Sequence, residues 1–265
     1  MKKIVRLIIA AVVLYVGYIY IQNTEYTEAN PERIWIDTPS DLPGQLVVHD
    51  GYITDYNQVT LIPNWVSYEL LPKNVVKDGA SRTDKFTEDP LLLGLCASTM
   101  DYSRSGYDRG HMAPAADFKY SEEAMAETFY MTNICPQNHN LNSGAWNDLE
   151  SQIRWWCKHY YRTPIMVMCG PVMGKRPKKI GDNRVAVPAS FWKVVCRKDL
   201  LSGEYHAVGF LFPNKETDRS YDSFAVPIDS IETLTGLDLL TNLPEEQQQK
   251  LESSVEIANW KTDRR

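Results

Sequence analysis

Between residues 101 and 150 the chain reads DYSRSGYDRGHMAPAADFKYSEEAMAETFYMTNICPQNHNLNSGAWNDLE, and this stretch constrains the fold more than any other. Three polar clusters lie in it: Asp108-Arg109-Gly110-His111, then Asn133 with Pro136-Gln137-Asn138, then Asn142 with Glu150 further on. Apolar or aromatic residues bracket each cluster, so a folded chain presents them from a packed frame, as a functional site requires. Gly106 and Gly110 permit tight backbone around the first cluster, and strand alternation puts Arg109 and His111 on one face. Residues 127–135 read as a buried second strand. Leu141, Ala145, Trp146, Leu149, Ile153, Trp156, Cys157 and Tyr160 recur at helical intervals, which predicts an amphipathic helix over 142–161. Strand, strand and helix are therefore consecutive.

The residue types suit phosphodiester chemistry. A neutral imidazole accepts a proton from water near neutral pH, and a guanidinium forks onto phosphate oxygens. On the expected helix Asn142 and Glu150 are displaced by roughly 80°, so both can point to one cavity. A carboxamide oxygen is a hard neutral ligand suited to Mg²⁺, and Glu150 can orient waters around such an ion without being a direct ligand. Each residue taken alone also has a plainer reading: His111 as a structural histidine, Asn142 as a helix cap, Glu150 as a solvated helix charge.

Composition bounds the rest. The 265 residues are 43% hydrophobic and 11% aromatic, enough for one sizeable core and one catalytic domain. A net charge of −6 and a pI near 5.4 argue against a protein that coats nucleic acid. An enzyme that touches only a few phosphates can use local cations, and Arg104, Arg109 and Lys119 lie in or beside the central stretch. Five scattered cysteines, without zinc-site spacing and mostly in apolar runs, read as buried free thiols.

Residues 1–22 combine Lys2, Lys3 and Arg6 with an apolar run ending in Tyr15, Tyr18 and Tyr20, which reads as an N-terminal membrane anchor or signal segment. Either places the domain outside the cytoplasm, periplasmic or extracellular. Residues 23–45 are polar with Pro31, Pro39 and Pro43 and read as a linker, leaving 46–265 as the domain. Two β-rich runs flank Asp55-Tyr56-Asn57-Gln58 as an antiparallel pair, with His49 as a partly exposed strand histidine. Residues 73–90 read as a surface loop containing Arg82, 163–173 as a buried strand, and 174–184 as a basic, solvated loop. Strands are expected over 185–196 and 205–212, a short helix from Ser230, and an amphipathic helix over 244–260.

Asp108-Arg109-Gly110-His111, Thr132-Asn133-Ile134-Cys135-Pro136-Gln137 and the run from Leu141 to Glu150 together resemble the DNA/RNA non-specific endonuclease family. Three motifs in one order at compatible spacing make the resemblance specific, and it extends more weakly from about Val47 to about Leu240. It implies an α+β fold of the ββα-metal (His-Me finger) type, with a central antiparallel sheet and flanking helices. It implies a Mg²⁺-dependent, sugar-non-specific hydrolase of DNA and RNA, with Mn²⁺ able to substitute. His111 is then the general base and Asn142 the metal ligand. Arg109 contacts phosphate, Asn133 supports the site, and Glu150 anchors metal-bound water. A further family arginine lies upstream, for which Arg82 is the candidate; Arg104 is a further substrate-binding candidate. Nucleic acid is the expected partner through its backbone phosphates, with membrane contact through the N-terminal segment, and there is room for a homodimer. The alternatives are a non-cutting, membrane-anchored nucleic-acid-binding module and a phosphodiesterase for small nucleotides.

Overall fold

The computed structural model describes residues 35–75 and 79–260. The anchor or signal segment and residues 23–34 of the expected linker lie outside them. Strand β1 (Ile36–Asp37) is followed by β2 (Gln45–Val48), β3 (Ile53–Asn57) and β4 (Ile62–Leu70). Next come β5 (Asp108–His111), helix α1 (Glu122–Glu127), β6 (Ile134–Gln137), α2 (His139–Ser143) and α3 (Ala145–Trp155). Strands β7 (Ile165–Val172), β8 (Lys179–Ile180), β9 (Val185–Ala186), β10 (Ser190–Lys198), β11 (Tyr205–Pro213) and β12 (Ala225–Val226) complete the central run. Helix α4 (Ile228–Thr235), β13 (Asp238–Leu239) and α5 (Glu245–Glu252) follow, with a 3-10 turn at Ile257–Asn259.

Seven strands form one antiparallel sheet in the order β12-β11-β10-β7-β4-β3-β2. Strand β7 is buried at every position, which is why its sequence IMVMCGPV is a continuous apolar run without alternation: both faces of the sheet are covered. Ile165, Val167 and Cys169 face a core shared with Trp146, Leu149 and Ile153 of α3. Met166 and Met168 face a second core with Ile228 and Ile231 of α4 and Leu251 of α5. The fold is therefore α+β, a central antiparallel sheet with helices on both faces. Strands β5 and β6 form a separate hairpin-like pair, with His111 opposite Ile134 and Asp108 opposite Gln137.

Several elements differ from the sequence expectations, each for a local reason. The fold begins before Leu46, because Ile36 pairs with Leu239 and is buried. The first two β-rich runs are three strands: Asp55, Tyr56 and Asn57 belong to β3, and the turn follows them, where the Asn57 side chain accepts the amides of Val59 and Thr60. His49 is buried instead of partly exposed, its Nε2 2.8 Å from Asp89 Oδ2. Residues 127–135 are not one strand. Only Ile134 onward joins β6, because the Asn133 side chain bonds the Thr128 carbonyl and folds the intervening chain into a turn. The expected helix over 142–161 is interrupted at Gly144, whose backbone (φ −106°, ψ −117°) lies outside the helical region. Helix α2 ends there and α3 starts afresh. In the basic loop, Lys179 and Ile180 pair with Ala186 and Val185. The expected 244–260 helix is shorter, ending at Glu252. Among the described residues no helix is long and apolar enough to cross a membrane.

Candidate active site

His111 ends β5, and three features of the surrounding chain fix it. At Gly110 an added Cβ would lie 2.2 Å from Gln137 Oε1, so only glycine lets β5 and β6 approach this closely. The His111 carbonyl accepts the indole N–H of Trp146 at 3.3 Å, tying β5 to α3. The imidazole packs against Phe86 and Phe129, with ring centroids 5.4 and 5.0 Å away. It is almost wholly buried and its Nε2 has no hydrogen-bond partner. Burial, followed by the nearby Arg82 and Arg109 charges, pulls its pKa down to about 3. The ring is neutral at physiological pH, with a free acceptor nitrogen.

Asn133 is fully buried and lines neither cavity of the site. Its Nδ2 donates to the carbonyls of Ala113 (2.9 Å) and Thr128 (2.8 Å), and its Oδ1 accepts the Ala113 amide (2.8 Å). It braces the turn just after His111. Replacing it by alanine leaves three buried backbone groups without partners, so Asn133→Ala should destabilise the protein by about 3 kcal/mol and lower Tm by about 6 °C or more. Thermal melting beside activity at low temperature checks this. Loss of activity at an unchanged Tm would instead place Asn133 in the chemistry.

Asn142 lies near the end of α2. The cap of that helix is Asn138, whose side chain accepts the amides of Asn140 and Leu141, so Asn142 is not needed as a cap. Its Nδ2 donates to Asp108 Oδ2 at 2.9 Å, and the same oxygen lies 2.9 Å from His139 Nδ1. Asp108 thus orients the carboxamide, leaving its Oδ1 without a protein donor among the described residues. The sequence reading gave Asp108 no separate role; its place at the head of the same strand, directly before Arg109, was the available signal.

Glu150 on α3 is buried, not a solvated helix charge. Its Oε1 lies 3.6 Å from Lys193 Nζ, and that fully buried ammonium sits 4.2 Å from the Trp146 ring. Burial pushes the Glu150 carboxyl up to about 7, with Lys193 and Arg154 opposing. Arg154, one turn further along α3, bonds Asp117 at 2.8 Å. Sequence reasoning missed both cations. A lysine inside the apolar run SFWKVVC, and an arginine four residues after Glu150, were the signals.

Arg82 and Arg109 lie side by side over the same aromatic floor, Arg109 4.4 Å from the Phe86 centroid and Arg82 5.0 Å from Phe129. The loop carrying Arg82 is anchored by buried Asp89, which bonds His49 and Thr132, and by Thr87, which pairs with Phe129 and Met131. Arg82 is also held by Asp84 at 2.6 Å. Arg104 is exposed at a left-handed turn (φ 55°) and lines neither cavity.

Two cavities, of about 520 and 370 Å³, share Arg82, Arg109 and Asn142 and so form halves of one groove. The smaller holds His111, Glu150 and Arg154 as well. The oxygen donors at Asn142 and Glu150 suit a hard divalent cation. The groove combines a neutral base, two phosphate-matching guanidiniums and a hard oxygen donor set.

The chain is 36% identical over 217 residues to human "Endonuclease G, mitochondrial", covering 76% of this chain and 72% of that protein. It is 32% identical over 224 residues to the "Mitochondrial nuclease" of Saccharomyces cerevisiae, covering 76% and 67%. The fold is similar to a chain in the crystal structure of an EndoG/EndoGI complex, with a TM-score of 0.70 and 30% identity, covering 77% of this chain and 90% of that one. These relatives are nucleases, which does not favour a non-cutting module or a small-nucleotide phosphodiesterase. They also contradict the expectation of an exported, periplasmic or extracellular protein, because both named proteins are mitochondrial. Of the properties of the basic, apolar N-terminal run that suggested export, the lack of acidic residues is one that organelle-targeting segments share. With a family profile matching residues 35–246, the chain belongs to the DNA/RNA non-specific endonuclease family and is a hydrolase of nucleic-acid phosphodiester bonds, its fold the ββα-metal one.

Proposed function

We propose that this protein is a Mg²⁺-dependent endonuclease that cuts DNA and RNA without sequence preference, His111 acting as general base. The observation that carries this reading is the unpartnered His111 Nε2, on a ring held neutral, in the same cavity as Arg82, Arg109, Asn142 and Glu150. The imidazole takes a proton from the attacking water. Arg109 and Arg82 bind phosphate oxygens and stabilise the charge that develops there. Asn142 Oδ1, oriented by Asp108, would hold the ion, while Glu150 accepts hydrogen bonds from water in the cavity. When bound, Mg²⁺ supplies Lewis-acid stabilisation of the phosphate and leaving oxygen. The mitochondrial relatives extend to this chain as a mitochondrial location.

The groove offers cations for backbone phosphates, so binding depends on charge more than on base identity. Cleavage of unrelated DNA and RNA sequences at similar rates, falling steeply with added salt, is the expected result. Cutting confined to one short sequence would contradict it.

The buried site also alters the pH dependence that a free histidine would impose. A base works in its neutral form, which exists above its pKa; with that pKa pulled to about 3, His111 stays competent as pH falls from 8 to below 5. Glu150, pushed up to about 7, loses its charge over the same interval. A fall in rate from pH 8 to 6 therefore belongs to Glu150 and should flatten in Glu150→Gln. Ring ¹⁵N shifts of the metal-free protein check the first part. A His111 midpoint near the unperturbed value of about 6.5 would contradict it.

A further inference from the structure

On the sheet face opposite the groove, α4 and α5 bring three carboxylates together. Asp229 and Glu232 are three residues apart on α4 and share a helix face, and Glu252 is the last residue of α5. One oxygen from each lies within 4.8 Å of the other two. Among the described residues no ion pair involves any of the three. Glu232 Oε1 accepts the Leu239 amide at 2.8 Å, which fixes that side chain. Glu252 is only 6% exposed, and its Oε1 is buried with no hydrogen-bond partner. A buried carboxylate with an unpartnered oxygen beside two other carboxylates is costly in its charged form unless a cation joins them. Burial and the neighbouring acids accordingly push Glu252 up to about 8.

We propose that Asp229, Glu232 and Glu252 form a binding site for a hard divalent cation of the Ca²⁺ class, separate from the nuclease groove. The donor set is oxygen only, with no thiol or imidazole, which suits Ca²⁺ and not zinc. Oxygens that all lie within 4.8 Å of one another can share an ion with bonds of about 2.3–2.6 Å. Asp229 is exposed, so water completes the coordination. Both helices pack on β11, and the ion ties α5 to the sheet through α4. This site does not depend on the nuclease mechanism.

The test is calorimetric titration of Ca²⁺ into the full-length protein, Asn142→Ala and Glu252→Gln, with thermal melts of each. Wild type and Asn142→Ala should bind Ca²⁺ at this site with equal affinity and gain about 5 °C in Tm at roughly 100-fold excess over Kd. Glu252→Gln should lose that event while keeping nuclease activity and its metal-free Tm. Binding lost in Asn142→Ala but kept in Glu252→Gln would overturn the site, as would no uptake by wild type at Ca²⁺ on the order of 10 mM, above the range of weak Ca²⁺ modules. Uptake of Mg²⁺ but not Ca²⁺ would overturn the ion class.

Discussion

His111→Ala should lower cleavage of both DNA and RNA by about 10³-fold or more, within the range general bases contribute, with no recovery at any metal concentration. The magnitude is large because no second base of suitable character lines the smaller cavity: Glu150 is engaged by Lys193, and the other polar side chains there are cations, carboxamides and the Ser143 hydroxyl. Folding should be little affected. The imidazole makes no hydrogen bond through Nε2, and its strand is held by the β5–β6 pairing and the Trp146 bond to the backbone carbonyl, all of which alanine keeps. Loss of the ring contacts to Phe86 and Phe129 costs some packing, on the order of 1–2 kcal/mol. Initial rates beside a thermal melt separate the two effects. A variant retaining a tenth of wild-type activity would remove His111 from the role of base.

Asn142→Ala should fail differently. Deleting a hard oxygen ligand weakens ion affinity, so activity at low Mg²⁺ falls by about 10²-fold and returns in part as Mg²⁺ is raised. Asp108→Ala should show a milder version of the same behaviour, about 10-fold, because Asp108 only orients the carboxamide. Rate against Mg²⁺ concentration is the measurement. A loss at Asn142→Ala that no metal restores, beside a His111→Ala loss that metal does restore, would exchange the two roles.

What the residues disclosed in advance was what depends on local periodicity. Alternation along β5 places Arg109 and His111 together, and helical spacing carries Glu150 to the face that meets them. The apolar run of β7 likewise marks itself as a strand covered on both faces. What escaped depends on partners distant in sequence. His49 is buried because Asp89, 40 residues away, receives it. Glu150 is buried because a lysine on β10 faces it, and nothing around position 150 announces that. The run ending in Asn133 has strand-like composition, yet the Asn133 side chain captures the Thr128 carbonyl and turns the chain. The break at Gly144 is the subtlest case: the hydrophobic spacing continues across it, so periodicity gives no warning, and Asn142 lies near the end of one helix where it was expected to begin another.

The most direct test of the nuclease mechanism is incubation of circular plasmid DNA and of RNA with the protein in Mg²⁺ or in EDTA, beside His111→Ala. Wild type should degrade both substrates in Mg²⁺ and neither in EDTA, while a folded His111→Ala degrades neither. Equal cleavage by both proteins, or none by folded wild type with Mg²⁺ or Mn²⁺ present, would contradict it.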